Sequence, residues 1–175
     1  MRSITFISVG ALIAGTILAP LLGATPLFAQ SPEGCWARAY SDAHLAKHPA
    51  QVVENISISF DLEFEPGRPW IDVQVDVADQ GHAAGTGQGG NTYGQSARCF
   101  EDAKAGTGWS CSVECDGGIM RIDRLTDAEM LVRLETFWMG TGDDCGGPFN
   151  LAEVPGQTVA YKLFRQPAAL CEPGA

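Results

Sequence analysis

The sequence predicts an all-β fold: roughly eight short antiparallel strands in a closed or nearly closed barrel, with a β-sandwich as the alternative. Three observations predict it. Two stretches alternate apolar and polar residues with period two: Ile56, Ile58, Phe60, Leu62 and Phe64 against Ser57, Ser59, Asp61 and Glu63, then Ile71, Val73, Val75 and Val77 against Asp72, Gln74 and Asp76. The 21 glycines of 175 residues cluster between apolar stretches, as turns between short strands require. Cys35 and Cys171 bracket the predicted domain, and a bridge joining first strand to last favours closure, because a closed sheet has no edges.

Residues 1–29 stand apart from that domain. Arg2 is a minimal positive start, residues 4–22 are almost wholly apolar, and Ala29 offers a small residue for cleavage before Gln30. This is the pattern of a secretory signal peptide, and Pro20 and Pro26 argue against a continuous spanning helix. Glu33 and Pro32 before Gly34-Cys35 are unsuited to a lipid-attachment motif. The expected mature chain, residues 30–175, is one disulfide-bonded domain, periplasmic or secreted, with no stable membrane insertion after cleavage. Cleavage removes Arg2 and no acid, so the net charge moves from -10 to -11. A chain that acidic repels phosphate, which excludes nucleic acid as a partner.

All six cysteines follow the cleavage site. An even number in an oxidising compartment predicts three disulfides. If Cys111 and Cys115 share a strand, they sit about 13 Å apart at about 3.3 Å per residue, beyond the reach of a bridge. A hairpin centred on Ala105 sets Cys99 opposite Cys111. Cys35 and Cys171 pair as the brackets, which leaves Cys115 with Cys145. The last two carry similar tails, Cys115-Asp-Gly-Gly118 and Cys145-Gly-Gly147.

In chain order, residues 36–40 form a short strand, and Ser41 caps a short helix over residues 43–48 that Pro49 ends. Strands over 52–64 and 70–77 flank a Glu65-Pro-Gly-Arg-Pro69 turn. Their expected register sets Phe64 against Ile71, Leu62 against Val73 and Phe60 against Val75, with Trp70 the last loop residue. Residues 78–94 read as a mobile Gly-rich loop. Strands over 95–100 and 109–115 follow, then a hairpin of 118–125 and 129–137 that sets Met120 against Leu134 and Ile122 against Val132. That register also opposes Arg121 and Arg133, with Glu135 the diagonal acid that relieves them. Residues 139–150 form a second loop, and 157–165 the last strand.

Candidate chemistry is sparse. His44 and His48 lie four apart on one helix face, the spacing of paired zinc ligands, and His82 is a candidate third ligand. Leu45 stands where the metalloprotease signature needs Glu. Asp116, Asp143 and Asp144 would gather as a calcium candidate if Cys115 bonds Cys145. Gly85-Thr-Gly87-Gln-Gly-Gly90 has dinucleotide-loop spacing, but no helix follows to hold a pyrophosphate. Gly94-Gln-Ser-Ala-Arg98 lacks the closing glycine of a nucleophile elbow. The expectation is therefore no cofactor, no metal and no catalytic residue.

Two resemblances add to this. Gly34-Cys35-Trp36 resembles the G-x-W motif of lipocalins, whose Trp closes the barrel base under an Arg near the last strand; Arg165 stands in that place, though no T-D-Y-like motif and no late helix appear. His44-Leu-Ala-Lys-His-Pro-Ala-Gln51, Cys111-Ser-Val-Glu-Cys-Asp-Gly-Gly118 and Cys145-Gly-Gly147 resemble a family of small exported proteobacterial proteins of unknown function, over nearly the whole mature chain. That resemblance implies an exported address and no activity.

The leading expectation is an exported non-enzymatic binding or interaction domain for an unknown protein or small ligand. It predicts an exposed apolar patch with Trp70, Phe137 or Trp138 as members. One rival is a lipocalin-like carrier of an apolar molecule, with a cavity lined by Phe60, Leu62, Val73 and Val75. The other is a hydrolase or metal-dependent enzyme using His44 and His48.

Overall fold

In the computed structural model, residues 34–142 and 147–172 are described. The expected signal peptide, residues 1–29, lies outside them. Eight strands close into an antiparallel barrel: β1 (Cys35–Ala39), β2 (Val53–Asp61), β3 (Trp70–Val77), β4 (Thr92–Glu101), β5 (Trp109–Ser112), β6 (Gly118–Leu125), β7 (Glu129–Met139) and β9 (Val159–Gln166). Strands β1 to β7 pair in sequence, and β9 fits between β7 and β1 to close the ring. The sandwich alternative is thereby overturned. The two-residue β8 (Phe149–Asn150) pairs with the end of β7. One short helix, α1 (Asp42–Leu45), follows β1; the Ser41 hydroxyl accepts the His44 N–H at 3.3 Å, supplying a partner the first turn lacks.

Alternation builds the core. Ile56, Ile58, Ile71, Val73 and Val75 point inward on β2 and β3, and all are buried. The largest fully buried side chains are Trp36, Tyr161, Phe137 and Phe149, joined by Met120, Met130, Leu134 and Met139. They form one continuous apolar cluster through the barrel, as eight strands leave an interior that side chains can fill. Each such side chain contributes roughly 1.5–3 kcal/mol through burial.

The structure corrects several expectations. The first is the disulfide count: the described residues hold two bridges, Cys35–Cys171 and Cys99–Cys111, rather than three. The expected Cys115–Cys145 pairing reaches to Cys145, outside the described residues. Cys111 and Cys115 also do not share a strand. β5 stops at Ser112, and Cys115 and Asp116 lie in a turn with φ of 57° and 62°.

The second correction is the β2–β3 register. β2 ends at Asp61, whose carboxylate accepts the backbone N–H groups of Glu63 (2.9 Å) and Phe64 (3.0 Å) and bends the chain away. The ladder pairs Phe60 with Ile71, Ile58 with Val73 and Ile56 with Val75. The shift is an even number of residues, so the inward face is unchanged, but Phe64 is left outside, 70% exposed. Trp70 belongs to β3, opposite Asp61 and Arg98.

The third concerns β7. Gly118 pairs with Phe137 and Met120 with Leu134, so β7 carries an extra residue there. This bulge reverses which side chains face inward. Phe137 and Met139 enter the core, so the expectation of an exposed Phe137 fails. Close backbone approach accounts for Gly118 and Gly147. A side-chain carbon on Gly118 would overlap the Thr136 carbonyl, and one on Gly147 the Met139 carbonyl. Gly118 and Gly147 both run against backbone toward the C-terminal end of β7.

Arg121 does stand opposite Arg133, but Glu135 does not relieve them. Arg133 pairs with Asp123 at 2.9 Å and Arg121 with Asp102 at 3.5 Å, while Glu135 accepts from the Thr158 hydroxyl. Nor is the stretch after β3 an unpacked loop. It holds a 3-10 turn, Gly81–Ala83, with Ala83 fully buried.

Candidate functional site

The barrel has two ends of different character. At the first lie α1, the 78–91 segment and the chain leading into β9. Here His44 and His48 come together, their rings stacked 4.3 Å apart, with the Tyr40 ring 4.9 Å from His44. The helix is shorter than the expected 43–48, ending at Leu45, and the turn after it, closed by the His48 N–H on the His44 carbonyl at 3.2 Å, brings the rings together. His44 Nε2 and Gln51 Oε1 lie 3.0 Å apart in a hydrogen bond, and Gln51 Nε2 donates to the Val53 carbonyl at 2.9 Å. Gln80 Nε2 donates to the His48 and Gln51 carbonyls, at 2.9 and 2.6 Å, fastening the helix to the segment beyond β3.

Three further groups at this end escaped sequence reasoning. Burial pushes the Glu153 carboxyl above its ordinary range, and nearby His48 and His44 pull it partly back. Burial also raises the Tyr40 phenol, opposed by Arg38, whose guanidinium lies 4.4 Å from the ring centroid, and reinforced by Glu153. Tyr161 is buried with its hydroxyl donating to the Leu151 carbonyl at 2.9 Å, and its phenol is pushed well up by that burial. No local pattern marks Glu153, which sits in an irregular segment between β8 and β9.

His82 does not join the histidine pair. Its ring nitrogen donates to the Ala152 carbonyl at 2.9 Å and its ring stacks on Phe149 at 5.5 Å. Asp116 occupies the turn after β5, while Asp143 and Asp144 lie outside the described residues. Among the described residues, no three His, Cys, Asp or Glu side chains converge as metal ligands. The Ser96 hydroxyl donates to Asp72 with no imidazole between them. The first end is thus a polar cap whose hydrogen bonds are largely spent on holding α1 in place.

The second end is built differently. The turn after β2 presents Phe64 edge-to-face against Trp70, ring centroids 5.0 Å apart. Glu65 fixes the turn: one oxygen accepts from Arg68 at 3.0 Å and the other from Trp70 Nε1 at 3.3 Å. Between this turn and the ends of β4 and β5 runs a groove of about 430 Å³, lined by Arg68, Pro69, Arg98, Phe100, Glu101 and Trp109. The turn is tied to β4 by the Cys99 N–H, which donates to the Pro69 carbonyl at 2.8 Å, and Cys99 is bridged to Cys111. Of the expected patch, Trp70 is half-buried here, and Phe64 and Phe100 are its exposed neighbours.

The residues expected to line an internal cavity do not do so together. Val73 and Val75 are packed in the core, while Phe60 and Leu62 are only half-buried near the rim. The base does carry the Trp–Arg contact: the Arg165 guanidinium lies 4.9 Å from the Trp36 ring centroid, and Trp36 Nε1 donates to the Thr126 carbonyl at 3.3 Å. Among the described residues, no helix is long and apolar enough to cross a membrane. Set against known proteins, the chain matches no family model, no curated protein and no solved structure.

Proposed function

We propose that this chain is an exported, non-enzymatic binding or interaction domain, periplasmic or secreted, working through the outer surface at the second barrel end. The observation that carries the reading is the Phe64–Trp70 pair. A phenylalanine ring 70% exposed forgoes most of the stabilisation its burial would supply, yet Asp61 and Glu65 hold its turn in a defined shape. Fixed exposed aromatics beside a groove are what a binding patch needs, because little ordering entropy is lost on contact. The filled barrel interior supports an external rather than internal site. The export address agrees with the resemblance to small exported proteobacterial proteins.

The experiment is native mass spectrometry of the protein recovered from exporting cells, beside a Phe64→Ala/Trp70→Ala variant. The expected result is a chain beginning at Gln30 with a bound species that the variant loses. A chain retaining Met1, or a bound species unaffected by the variant, counts against the reading. A lipocalin-like carrier is the second reading, favoured by Arg165 over Trp36. It requires core side chains to move aside for a ligand, so a species retained by the variant and lost on Val75→Trp would favour it.

A further inference from the structure

Cys35 is bonded out of order. It is the first cysteine of the chain and its partner Cys171 is the last, with Cys99, Cys111, Cys115 and Cys145 between them. Cys99 and Cys111, by contrast, face each other across one hairpin, with a sequence separation of 12. A chain exported from its N-terminus delivers every other cysteine to the oxidising compartment before Cys171. Chain statistics act in the same direction. Closing the roughly 64 residues to Cys99 is about threefold more probable than closing the 136 to Cys171. Oxidation therefore gives Cys35 a wrong partner first. The barrel cannot form around that bond. Trp36 faces the core, so its neighbour Cys35 lies on the opposite face of β1, against the Ala168–Cys171 turn. Cys99 faces the core. Strands β1 to β4 are consecutive neighbours, so Cys35 and Cys99 are three strand spacings apart, about 14 Å at about 4.8 Å each. A disulfide needs Cα atoms within about 7 Å. Cys111 is one strand further on, and Cys115 lies beyond it in the turn after β5. A Cys35 bridge to any of these three excludes the native sheet.

From this we infer that the chain is a client of a thiol–disulfide isomerase, a dithiol protein of the exporting compartment that breaks the early Cys35 bridge and frees Cys35 for Cys171. The inference rests on the export reading above. The exchange itself is redox-neutral. In a Cys35–Cys99 bridge, the partner's thiolate attacks Cys99 Sγ. The S–S bond breaks, Cys35 leaves as a thiolate, and Cys99 is held as a mixed disulfide. The Cys111 thiolate then attacks Cys99 Sγ, forms the hairpin bridge and expels the partner's thiolate. Cys35 and Cys171 are joined when β9 docks, passing two electrons and two protons to a disulfide oxidant of the same compartment. The finished bridge is out of a partner's reach, with Cys35 1% and Cys171 9% exposed, so exchange stops at the native pair.

The test is a pulse-chase of the full chain in exporting cells, with and without their thiol–disulfide isomerases. Free thiols are trapped by alkylation, and bridges are mapped by mass spectrometry of unreduced peptides. In complete cells, early bridges from Cys35 to the intervening cysteines are expected to chase into Cys35–Cys171. Without the isomerases they should persist. Cys35 has five possible partners, so an uncorrected choice leaves about one chain in five correct, and the native bridge should fall about fivefold. An isomerase whose second active-site cysteine is replaced should hold the chain as a mixed disulfide. Equal yields of Cys35–Cys171 in the two kinds of cell, or a Cys35 that stays reduced until it bonds Cys171, would overturn the inference. A chain that begins at Gln30 with native bridges in both cells overturns the inference alone. A chain that retains Met1 with its cysteines reduced overturns the export reading, and the inference with it.

Discussion

Replacing Cys35 and Cys171 together by alanine should destabilise the domain far more than replacing Cys99 and Cys111. The bridges close loops of very different size, with sequence separations of 136 and 12. In the chain-entropy account the stabilisation grows with the logarithm of loop length, which gives about 5 kcal/mol for the terminal bridge and about 3 kcal/mol for the hairpin bridge at 25 °C. The difference of about 2 kcal/mol is firmer than either figure, because both double substitutions remove two buried sulfur atoms. The terminal bridge also holds the Ala168–Cys171 turn against β1 and β2, where Cys171 Sγ lies 3.5 Å from the Ile58 carbonyl. Urea unfolding of the oxidised wild type and the two double variants measures the comparison, provided their slopes agree. If the Cys99→Ala/Cys111→Ala variant loses as much stability as the other, loop entropy is not what these bridges contribute.

Two further outcomes follow from the packing and the charges. Phe137→Ala should cost about 3–5 kcal/mol as a buried aromatic truncation, and Trp138→Ala clearly less; equal losses in denaturant unfolding would contradict the β7 bulge. Glu153 and Glu129 should show opposite pH behaviour in thermal melts. Burial raises the Glu153 carboxyl in the fold, so its ionisation opposes folding: Glu153→Gln should raise Tm at pH 8 and change nothing well below the ordinary carboxylate range, where both states are protonated. Glu129 is held below its ordinary range by Lys162 and Arg124, so its contribution is present above the unfolded carboxylate pKa and lost as pH falls through the lowered value. Glu129→Gln should therefore lower Tm at neutral pH and have no effect in strong acid.

Local pattern made much of the barrel legible. The alternation of Ile71, Val73, Val75 and Val77 marks β3 and its inward face, and Met120 does stand against Leu134 and Ile122 against Val132, although the ladder reaches that register only through an irregularity between Ile122 and Arg124. The β2–β3 register was not legible from apolar spacing, because Leu62 and Phe64 continue the alternation past the true strand end. The overlooked signal was Asp61, a residue that turns the chain by accepting N–H groups two and three positions on. The bulge before Phe137 depends on backbone fit around Gly118, which periodicity does not encode. At the first barrel end the four-residue spacing of His44 and His48 was legible, although α1 ends at Leu45 and the following turn completes the stack, but Glu153 and Tyr161 arrive from the far end of the chain. At the second, Gly67 to Pro69 meet residues of β4 and β5 across the sheet, a meeting of distant segments that strand alternation does not encode.

Closure of the ring by β9 has a consequence for how the domain comes to be folded. Every pairing from β1–β2 through β6–β7 joins strands consecutive in sequence, so each can form soon after its turn is available. The seam is different: Trp36 must meet Arg165, and Leu134 must meet Val159. Long-range pairings of this kind set the rate in β proteins. Until β9 arrives, β1 and β7 are open edges, each able to add a strand from another copy. The last strand thus decides whether the chain becomes a monomeric barrel or the seed of an aggregate, and lesions in residues 159–166 should appear first as lost yield rather than as lost binding.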